Sequence, residues 1–145
     1  MTVDVVAYDI GHWDFFKCAD PEINPETLIK ASEFFQTEIY TMIKRPENIV
    51  LAIVGGKMIK EGVMELWLHV HKDLKKHTFS FYKGIKWMLK KMLESDLYRV
   101  QMTVDVDNEV DKRFAESLGF KQEGTLSGFH QGKDHYMYGK IERYQ

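Results

Sequence analysis

Residues 62–108 predict a strand, a helix and a second strand in direct succession, and this order constrains the fold more than any other feature. The segment GVMELWLHVH alternates apolar residues, including Met64, Leu66 and Leu68, with polar and aromatic ones, as a strand does. The helix carries an apolar stripe of Phe81, Ile85, Met88, Leu89, Met92 and Leu93. The segment YRVQMTVDVDN then alternates again. Because such a crossover joins parallel neighbours, we expect the two strands to run in parallel.

A second helix is predicted directly after these strands. Asn108 can cap it through its side-chain oxygen, and Asp111 is favourable at the positive end of the helix. Gly119 supplies the left-handed residue that ends such a helix before Phe120 opens the next strand. The two ends are therefore well specified, as they are in many domains.

The remaining segments predict further strands and one long helix. Thr2–Asp9 is rich in valine and predicts a strand. A helical pattern runs from Pro25 to about Lys44, with apolar residues at Leu28, Ala31, Phe34, Phe35, Ile39 and Met42. NIVLAIVGG predicts a short strand that ends in a turn at Gly55 and Gly56, followed by a shorter strand in KMIKEG. The C-terminal residues predict an antiparallel hairpin with Gly132 near its turn.

The composition is that of an ordinary globular domain. Of 145 residues, 44% are apolar and 29% are charged, so we expect one domain spanning residues 1–145. Cys18 is the only cysteine and permits no internal disulfide. The net charge of −2 lacks the basic excess of most nucleic-acid-binding proteins. The first ten residues have neither a basic start nor a long apolar run, so we expect a cytoplasmic protein. No apolar run reaches the roughly 18–20 residues that span a bilayer, so we expect no membrane partner.

The motifs around Asn108 resemble those of the GNAT superfamily of acyl-CoA-dependent N-acyltransferases. In that family an Asn at a strand end is followed eleven residues later by Gly-Phe, as Asn108 is by Gly119 and Phe120. Residues 119–126, GFKQEGTL, are similar to the GFxxEGxL run of the subgroup that acetylates protein N-termini, and residues 132–138 resemble its closing strand. The stretch Glu65 to Leu68 is similar to a strand in the short members encoded by tailed bacteriophages. The resemblance covers residues 62–142.

The resemblance implies a fold and a co-substrate. The fold class is α+β in three layers, with a mixed, mostly antiparallel sheet, a splayed parallel central strand pair and helices on both faces. The co-substrate is acetyl-CoA, whose pantetheine amides would pair with the main chain of Leu68 and Val70. Asn108 would face the cofactor arm, and Phe114 would pack near the thioester. The segment implied for the pyrophosphate immediately precedes the helix at residues 81–95, whose N-terminal N–H groups the pyrophosphate needs; it is Lys75, Lys76, His77, Thr78, Phe79 and Ser80.

Catalytic roles follow from the same resemblance. Glu65 is the candidate general base, acting directly or through water on the acceptor ammonium, although an isolated strand Glu is more often a solvent-facing carboxylate. Ala115 stands where many members have the Tyr that protonates the leaving thiolate, so Tyr136 or Tyr138 is expected to substitute for it.

Three histidines in and after the strand predicted at residues 62–71 raise the question of a metal. They are His69, His71 and His77, and no cysteine or carboxylate completes a recognised ligand spacing around them. We therefore expect core or surface histidines and no metal.

Two functions from different classes remain open. The first is an N-acetyltransferase, a monomer or homodimer, whose partner is an amine of a protein or small molecule. The second is a catalytically weak GNAT-fold protein that acts by binding a host or virion protein. Ala115 supports the second, and so does the phosphate loop, because the family pattern Gln/Arg-x-x-Gly-x-Gly/Ala aligned on Gly84 meets Phe81 and Lys86 at its other positions.

The lysines between residues 72 and 91 raise the question of a nucleic-acid partner. A solvated helix face is the commoner explanation, and the aromatic residues do not alternate with these lysines as single-strand binding requires. We therefore expect no nucleic-acid partner. An exposed protein-binding patch could be formed by Trp13, Phe15, Phe16 and Trp87, but aromatic residues of small domains usually lie in the core, and we expect these to do so.

Overall fold

The structure is a computed structural model that describes residues 2–13, 16–17, 39–94 and 96–141. Its strands are β1 (Thr2–Ala7), β2 (Tyr40–Arg45), β3 (Ile49–Lys60), β4 (Val63–Val70), β5 (Arg99–Asp105), β6 (Lys121–His130) and β7 (Lys133–Ile141). Its helices are α1 (Ile10–Trp13), α2 (Thr78–Glu94) and α3 (Glu109–Ser117), with a 3₁₀ helix at Leu74–His77. The strands form a seven-stranded sheet in the order β1-β2-β3-β4-β5-β7-β6.

The sheet is mixed and mostly antiparallel, as expected. β4 and β5 pair in parallel, whereas the other neighbouring strands pair in antiparallel fashion. The parallel pair is central and is joined by the crossover that contains α2. The order of strand, helix and strand in the sequence therefore predicted the centre of the fold correctly.

Two apolar clusters, one on each face of the sheet, hold the layers together. The larger cluster contains the buried residues of α2 and α3 together with inward-facing strand residues such as Met42, Leu66 and Val100. The smaller cluster lies on the face that Trp13 of α1 contacts, and it includes Ile43 and Ile53. Helices therefore cover both faces of the sheet, and the predicted fold class is confirmed.

The buried face of α2 and the two ends of α3 are formed by residues that the sequence analysis identified. Phe81, Ile85, Met88, Leu89 and Leu93 of α2 are buried. In α3, the Asn108 side chain accepts a hydrogen bond from the Asp111 N–H at 3.0 Å, which caps the first turn. Gly119 follows the helix with φ of 91°, the left-handed conformation expected of it. The C-terminal hairpin also turns as predicted, at Gln131 and Gly132.

The predicted helix from Pro25 to Lys44 is wrong at its C-terminal end, because Tyr40–Arg45 forms β2. Residues 25–38 lie outside the described residues. Ile39 and Met42 have helical spacing in the sequence, but they belong to the two different clusters, on opposite faces of the sheet. A strand that is buried on both faces lacks polar alternation, so its apolar residues matched a helical spacing by chance.

The predicted turn at Gly55 and Gly56 is also wrong, because β3 runs without interruption from Ile49 to Lys60. A Cβ atom on Gly55 would lie 2.2 Å from the Trp67 ring, and one on Gly56 would lie 2.2 Å from the Met64 sulfur. The glycines therefore admit two large side chains of β4. A glycine inside a strand often marks such a close approach.

None of the helices in the described part of the chain is long and apolar enough to cross a bilayer.

Candidate active site

The parallel strands β4 and β5 form a fork, and this is the central feature of the candidate site. Their pairing joins Val63 to Arg99, Met64 to Val100 and Glu65 to Gln101. β4 continues to Val70 and β5 to Asp105, and among these described residues the pairing between the strands ends at Glu65 and Gln101. The main-chain groups beyond that point line a gap in the middle of the sheet.

Hydrogen bonds at the two ends of β4 show which of its main-chain groups face the fork. The His71 N–H donates to the Leu51 carbonyl on β3 at 2.8 Å, and the Arg99 N–H donates to the Gly62 carbonyl at 3.1 Å. Because alternate residues of a strand bond to opposite neighbours, Leu68 and Val70 direct their main-chain groups toward β5. Their side chains are partly buried against the larger cluster. Both residues therefore have the orientation that the predicted main-chain role requires.

Glu65 lies at the closed end of the fork, on the sheet face opposite α2 and α3. Its carboxylate accepts a hydrogen bond from the Gln101 side-chain amide at 3.4 Å. The Gln101 side-chain oxygen in turn accepts from Arg99 at 3.0 Å. Arg99 also donates to both carboxylate oxygens of Glu123, at 2.9 and 2.5 Å. This chain of contacts fixes the orientation of the Gln101 amide and points its NH₂ group at Glu65.

The ion pair between Arg99 and Glu123 shifts the pKa values of both side chains. The hydrogen bond from Arg99 lowers the pKa of the Glu123 carboxyl, and the same bond raises the pKa of Arg99. Sequence reasoning missed the chain of Gln101, Arg99 and Glu123 that leads away from Glu65. The parallel pairing was the available signal for Gln101 alone, because Glu65 and Gln101 are paired across the two strands and share one sheet face.

Trp67 and His69 share the sheet face of Glu65. The Trp67 ring packs over Gly55, and the rings of Trp67 and His69 are 5.4 Å apart at a tilt of 41°. Trp67 is partly buried against the smaller cluster. An acidic group, an indole and an imidazole therefore follow one another along this face of β4.

The segment predicted for the pyrophosphate spans a helix boundary. Lys75, Lys76 and His77 lie in the 3₁₀ helix, whereas Thr78, Phe79 and Ser80 form the first turn of α2. The expectation that all six precede the helix is therefore wrong for the last three. The two lysines are exposed, so their ammonium groups reach solvent near the positive end of α2.

Three residues near this helix start serve the fold. Ser80 is 2% exposed and packs in the interior, so only its main chain is available to a ligand. His77 Nδ1 lies 3.2 Å from the Lys44 ammonium on β2. A Cβ atom on Gly84 would lie 2.6 Å from the Met42 sulfur and 3.0 Å from Val3, so this glycine allows α2 to approach the sheet. Gly84 is part of the helix and not of a phosphate loop.

Asn108 and Phe114 lie at the end of β5 and on α3. Asn108 borders an open cleft of about 460 Å³ whose other lining residues are Asp105, Asp107, Glu109 and Val110. The Asn108 side chain makes two hydrogen bonds to Asp111. Its Oδ1 accepts from the Asp111 N–H, and its Nδ2 donates to the Asp111 carboxylate at 2.7 Å. Phe114 stacks on Phe81 of α2 with ring centroids 5.0 Å apart. Phe114 therefore joins α3 to α2, whereas Asn108 caps α3.

The two candidate acids are distinguished by their surroundings. Tyr138 is fully buried, and its hydroxyl donates to Glu116 and Gln122 at 3.3 and 3.4 Å. Burial, together with the charge of Glu116, raises the pKa of Tyr138. Tyr136 is only partly buried, on the α2 and α3 side of β7, with the Lys112 ammonium 5.3 Å from its ring centroid. Tyr136 is therefore the more accessible acid, and it lies on the opposite face of the sheet from Glu65.

The histidines do not assemble into a cluster. His71 is buried, its Nδ1 accepts from the Asp73 N–H at 2.9 Å, and burial lowers its pKa. Its ring is 5.7 Å from that of His77, whereas His69 lies beside Trp67. Within residues 2–13, 16–17, 39–94 and 96–141, no group of three potential metal ligands is close enough to hold an ion.

Comparison with known proteins gives matches among solved structures. Neither a protein-family model nor a curated protein matches the chain. A GNAT-family acetyltransferase from Bacillus anthracis matches with a TM-score of 0.79 and 15% identity, over 97% of this chain and 95% of that chain.

Two further acetyltransferases show the range of the likeness. The spermidine/spermine N-acetyltransferase SpeG from Vibrio cholerae has a TM-score of 0.77 and 12% identity, over 97% of this chain and 92% of its own. The ribosomal-protein-S5-alanine acetyltransferase from Vibrio fischeri has a TM-score of 0.68 and 14% identity, with coverage of 97% and 93%. At these identities the likeness concerns the fold. The chain has the fold of the GNAT acetyltransferases over nearly its whole length.

Proposed function

We propose that the protein is an acyl-CoA-dependent N-acyltransferase that uses acetyl-CoA and acts as a single domain on an amine of a protein or small molecule. The observation that carries the proposal is the fork between β4 and β5, whose pairing stops at Glu65 and Gln101. Unpaired main-chain groups inside a sheet need a hydrogen-bonding partner. An extended chain bearing amides, such as the pantetheine arm, supplies one.

The residues around the fork suit the two ends of this co-substrate. Leu68 and Val70 would bind the pantetheine amides through their main chain. The first-turn N–H groups of α2 would bind the pyrophosphate, with attraction from Lys75 and Lys76. When bound, acetyl-CoA supplies the activated acyl group as a thioester.

Glu65 is proposed as the general base. An ammonium must lose a proton before its nitrogen can attack the acyl carbon, and Glu65 would accept that proton directly or through one water. Gln101, fixed by Arg99, holds the carboxylate at the closed end of the fork. As the new carbon–nitrogen bond forms and the carbon–sulfur bond breaks, Tyr136 would donate a proton to the departing thiolate on the other side of the sheet. The nitrogen would lose its second proton to solvent, from which Tyr136 would regain one.

The acceptor is proposed to approach along the face that carries Glu65 and Trp67. The indole is suited to contact with an alkylammonium, because its π face attracts cations. The similar solved structures include proteins named for acetylation of spermidine and of a ribosomal protein. Polyamines and protein N-termini are therefore the first acceptors to test.

A specific observation favours the alternative, a GNAT-fold protein that works by binding a host or virion protein. The Asn108 amide is used by the cap of α3, and Gly84 serves the packing of α2 against the sheet. Two features that resemble cofactor-binding motifs in the sequence thus have structural roles. This alternative predicts a fork that does not turn over acetyl-CoA.

The test is release of free CoA from acetyl-CoA, followed with a thiol reagent in the presence of spermidine or a peptide with a free N-terminus. We expect amine-dependent release by the native protein. Glu65→Gln should reduce the rate about 100-fold or more, the usual contribution of a general base. Glu61→Gln, which removes a carboxylate at the exposed β3–β4 turn, is the matched control and should retain the rate. Amine-dependent rates equal to the uncatalysed rate would contradict the enzyme proposal.

A further inference from the structure

The positive charge of the protein is concentrated on and before α2. Residues 72–94 contain seven lysines and two acidic residues, a net charge of +5. The whole chain carries −2, so the remaining residues together carry −7. Such segregation creates a local positive field that a net-charge argument does not detect.

The exposed side of α2 also presents large aromatic rings. Phe79 is 67% exposed and Trp87 is 51% exposed, although the apolar stripe of the same helix is buried against the sheet. The expectation that Trp87 lies in the core is therefore wrong. We call the exposed surface formed by Phe79, Lys83, Lys86, Trp87, Lys90 and Lys91 the outer face of α2.

Rings and cations alternate along this outer face. The Lys83 ammonium lies 5.6 Å from the centroid of the Phe79 ring, and that of Lys91 lies 5.8 Å from the Trp87 ring. Phe79 and Trp87 are eight residues apart, which places them about 12 Å apart along the helix axis. Tyr82 does not belong to the series, because its hydroxyl donates to the Ser117 carbonyl at 3.0 Å and joins α2 to α3.

We propose that the outer face of α2 binds single-stranded nucleic acid. Bases would stack on Trp87 and Phe79, and the intervening lysines would pair with backbone phosphates, the combination used by sequence-tolerant single-strand binders. This proposal replaces the expectation of no nucleic-acid partner. That expectation assumed that aromatic residues and lysines do not alternate, but on the surface of the folded helix they do. The proposal does not rest on the acyltransferase proposal. The two share Phe79, whose ring would stack on a base and whose main chain belongs to the turn proposed for the pyrophosphate.

Two other anionic ligands fit this surface less well. The phosphates of acetyl-CoA would lie at the N-terminus of α2, whereas Lys90 is twelve residues beyond Thr78, about 18 Å along the helix. A helix that binds a lipid surface turns its apolar stripe to the membrane, but the stripe of α2 is buried in the larger cluster.

The test is fluorescence anisotropy with a fluorescein-labelled single strand of twenty thymidine nucleotides. We expect saturable binding that weakens as salt is raised, because phosphate contacts release counterions. Trp87→Ala should weaken binding about fivefold or more, the loss of one stacked base. Lys83→Glu/Lys90→Glu should weaken binding and reduce its salt dependence. Circular dichroism checks that the variants remain folded.

The controls separate stacking from charge and from general exposure. Phe129→Ala removes a ring that is 50% exposed on β6, and Lys60→Glu/Lys121→Glu makes the same charge change on exposed strand residues; both should leave binding unchanged. Equal competition by polyglutamate of the same charge, preferred binding to vesicles rich in phosphatidylserine, or undiminished binding by Trp87→Ala would each overturn the proposal.

Discussion

At the scale of single residues, the two tyrosines of β7 make the proposed mechanism testable. Tyr136→Phe should reduce the acyl-transfer rate about 100-fold or more if its hydroxyl is the general acid. Tyr138→Phe removes a buried hydroxyl that bonds to Glu116 and Gln122, so it should cost about 1 kcal/mol of unfolding free energy and leave the rate unchanged. Steady-state kinetics and urea unfolding of both variants check this. A larger rate loss in Tyr138→Phe would reverse the assignment.

The buried imidazole of His71 predicts how stability depends on pH. Its pKa is lowered in the folded state by burial, so the unfolded chain binds the proton more readily. The contribution of His71 is therefore fully present above the unfolded pKa of about 6.5 and is lost as pH falls below it toward the folded pKa.

The expected result is a lower urea midpoint at pH 5 than at pH 7.5. His71→Asn keeps an acceptor for the Asp73 N–H and should flatten this dependence. His130→Asn, on the exposed edge strand β6, is the control and should leave it as in the native protein. An unchanged dependence in His71→Asn would assign the effect to other groups.

At the scale of elements, the contact of β3 with β4 depends on two glycines. Gly55→Ala would place a methyl group inside the Trp67 ring, and we expect a loss of about 1–3 kcal/mol of unfolding free energy from overpacking. Gly124→Ala in β6 meets no atom within 4 Å and should be close to neutral. Urea unfolding of the two variants measures the difference. Equal stability of both would show that Trp67 does not pack on Gly55.

The same strands show how far sequence reasoning reaches. The alternation in β4 and β5 and the cap at Asn108 are local patterns, and they predicted a parallel pair and a helix correctly. β2 was mistaken for helix because both of its faces are buried, and Gly55 was mistaken for a turn because its constraint is the distant Trp67. Each error concerns a contact across the sheet, which a single segment does not encode.

The candidate site divides in the same way. The orientation of the Leu68 and Val70 main chain follows from strand alternation and agrees with the sequence-based expectation. The series of hydrogen bonds from Glu65 through Gln101 and Arg99 to Glu123 joins residues of three strands. It depends on the register of those strands in the sheet, which the sequence alone did not reveal. The roles of all these residues in binding and catalysis stay predictions.

At the scale of the whole molecule, an arrangement shared with acetyltransferases is built from a sequence with only 11–15% identity to them. The fold needs alternating strands, two buried helix stripes and a few glycines at close contacts, and many sequences meet those requirements. Function is a separate question, because one fold supports several activities. The proposed function depends on one feature of the fold, the fork between β4 and β5.

The most direct test of the account is thermal unfolding with and without acetyl-CoA. At a hundred times the dissociation constant, binding should stabilise the protein by about 2.7 kcal/mol, a shift of roughly 5–10 °C for a chain of this size. Lys75→Glu/Lys76→Glu should reduce the shift, and the matched control Lys60→Glu/Lys121→Glu should retain it. No shift at millimolar acetyl-CoA, in a protein that unfolds cooperatively, would contradict the claim that the fork between β4 and β5 is a co-substrate site.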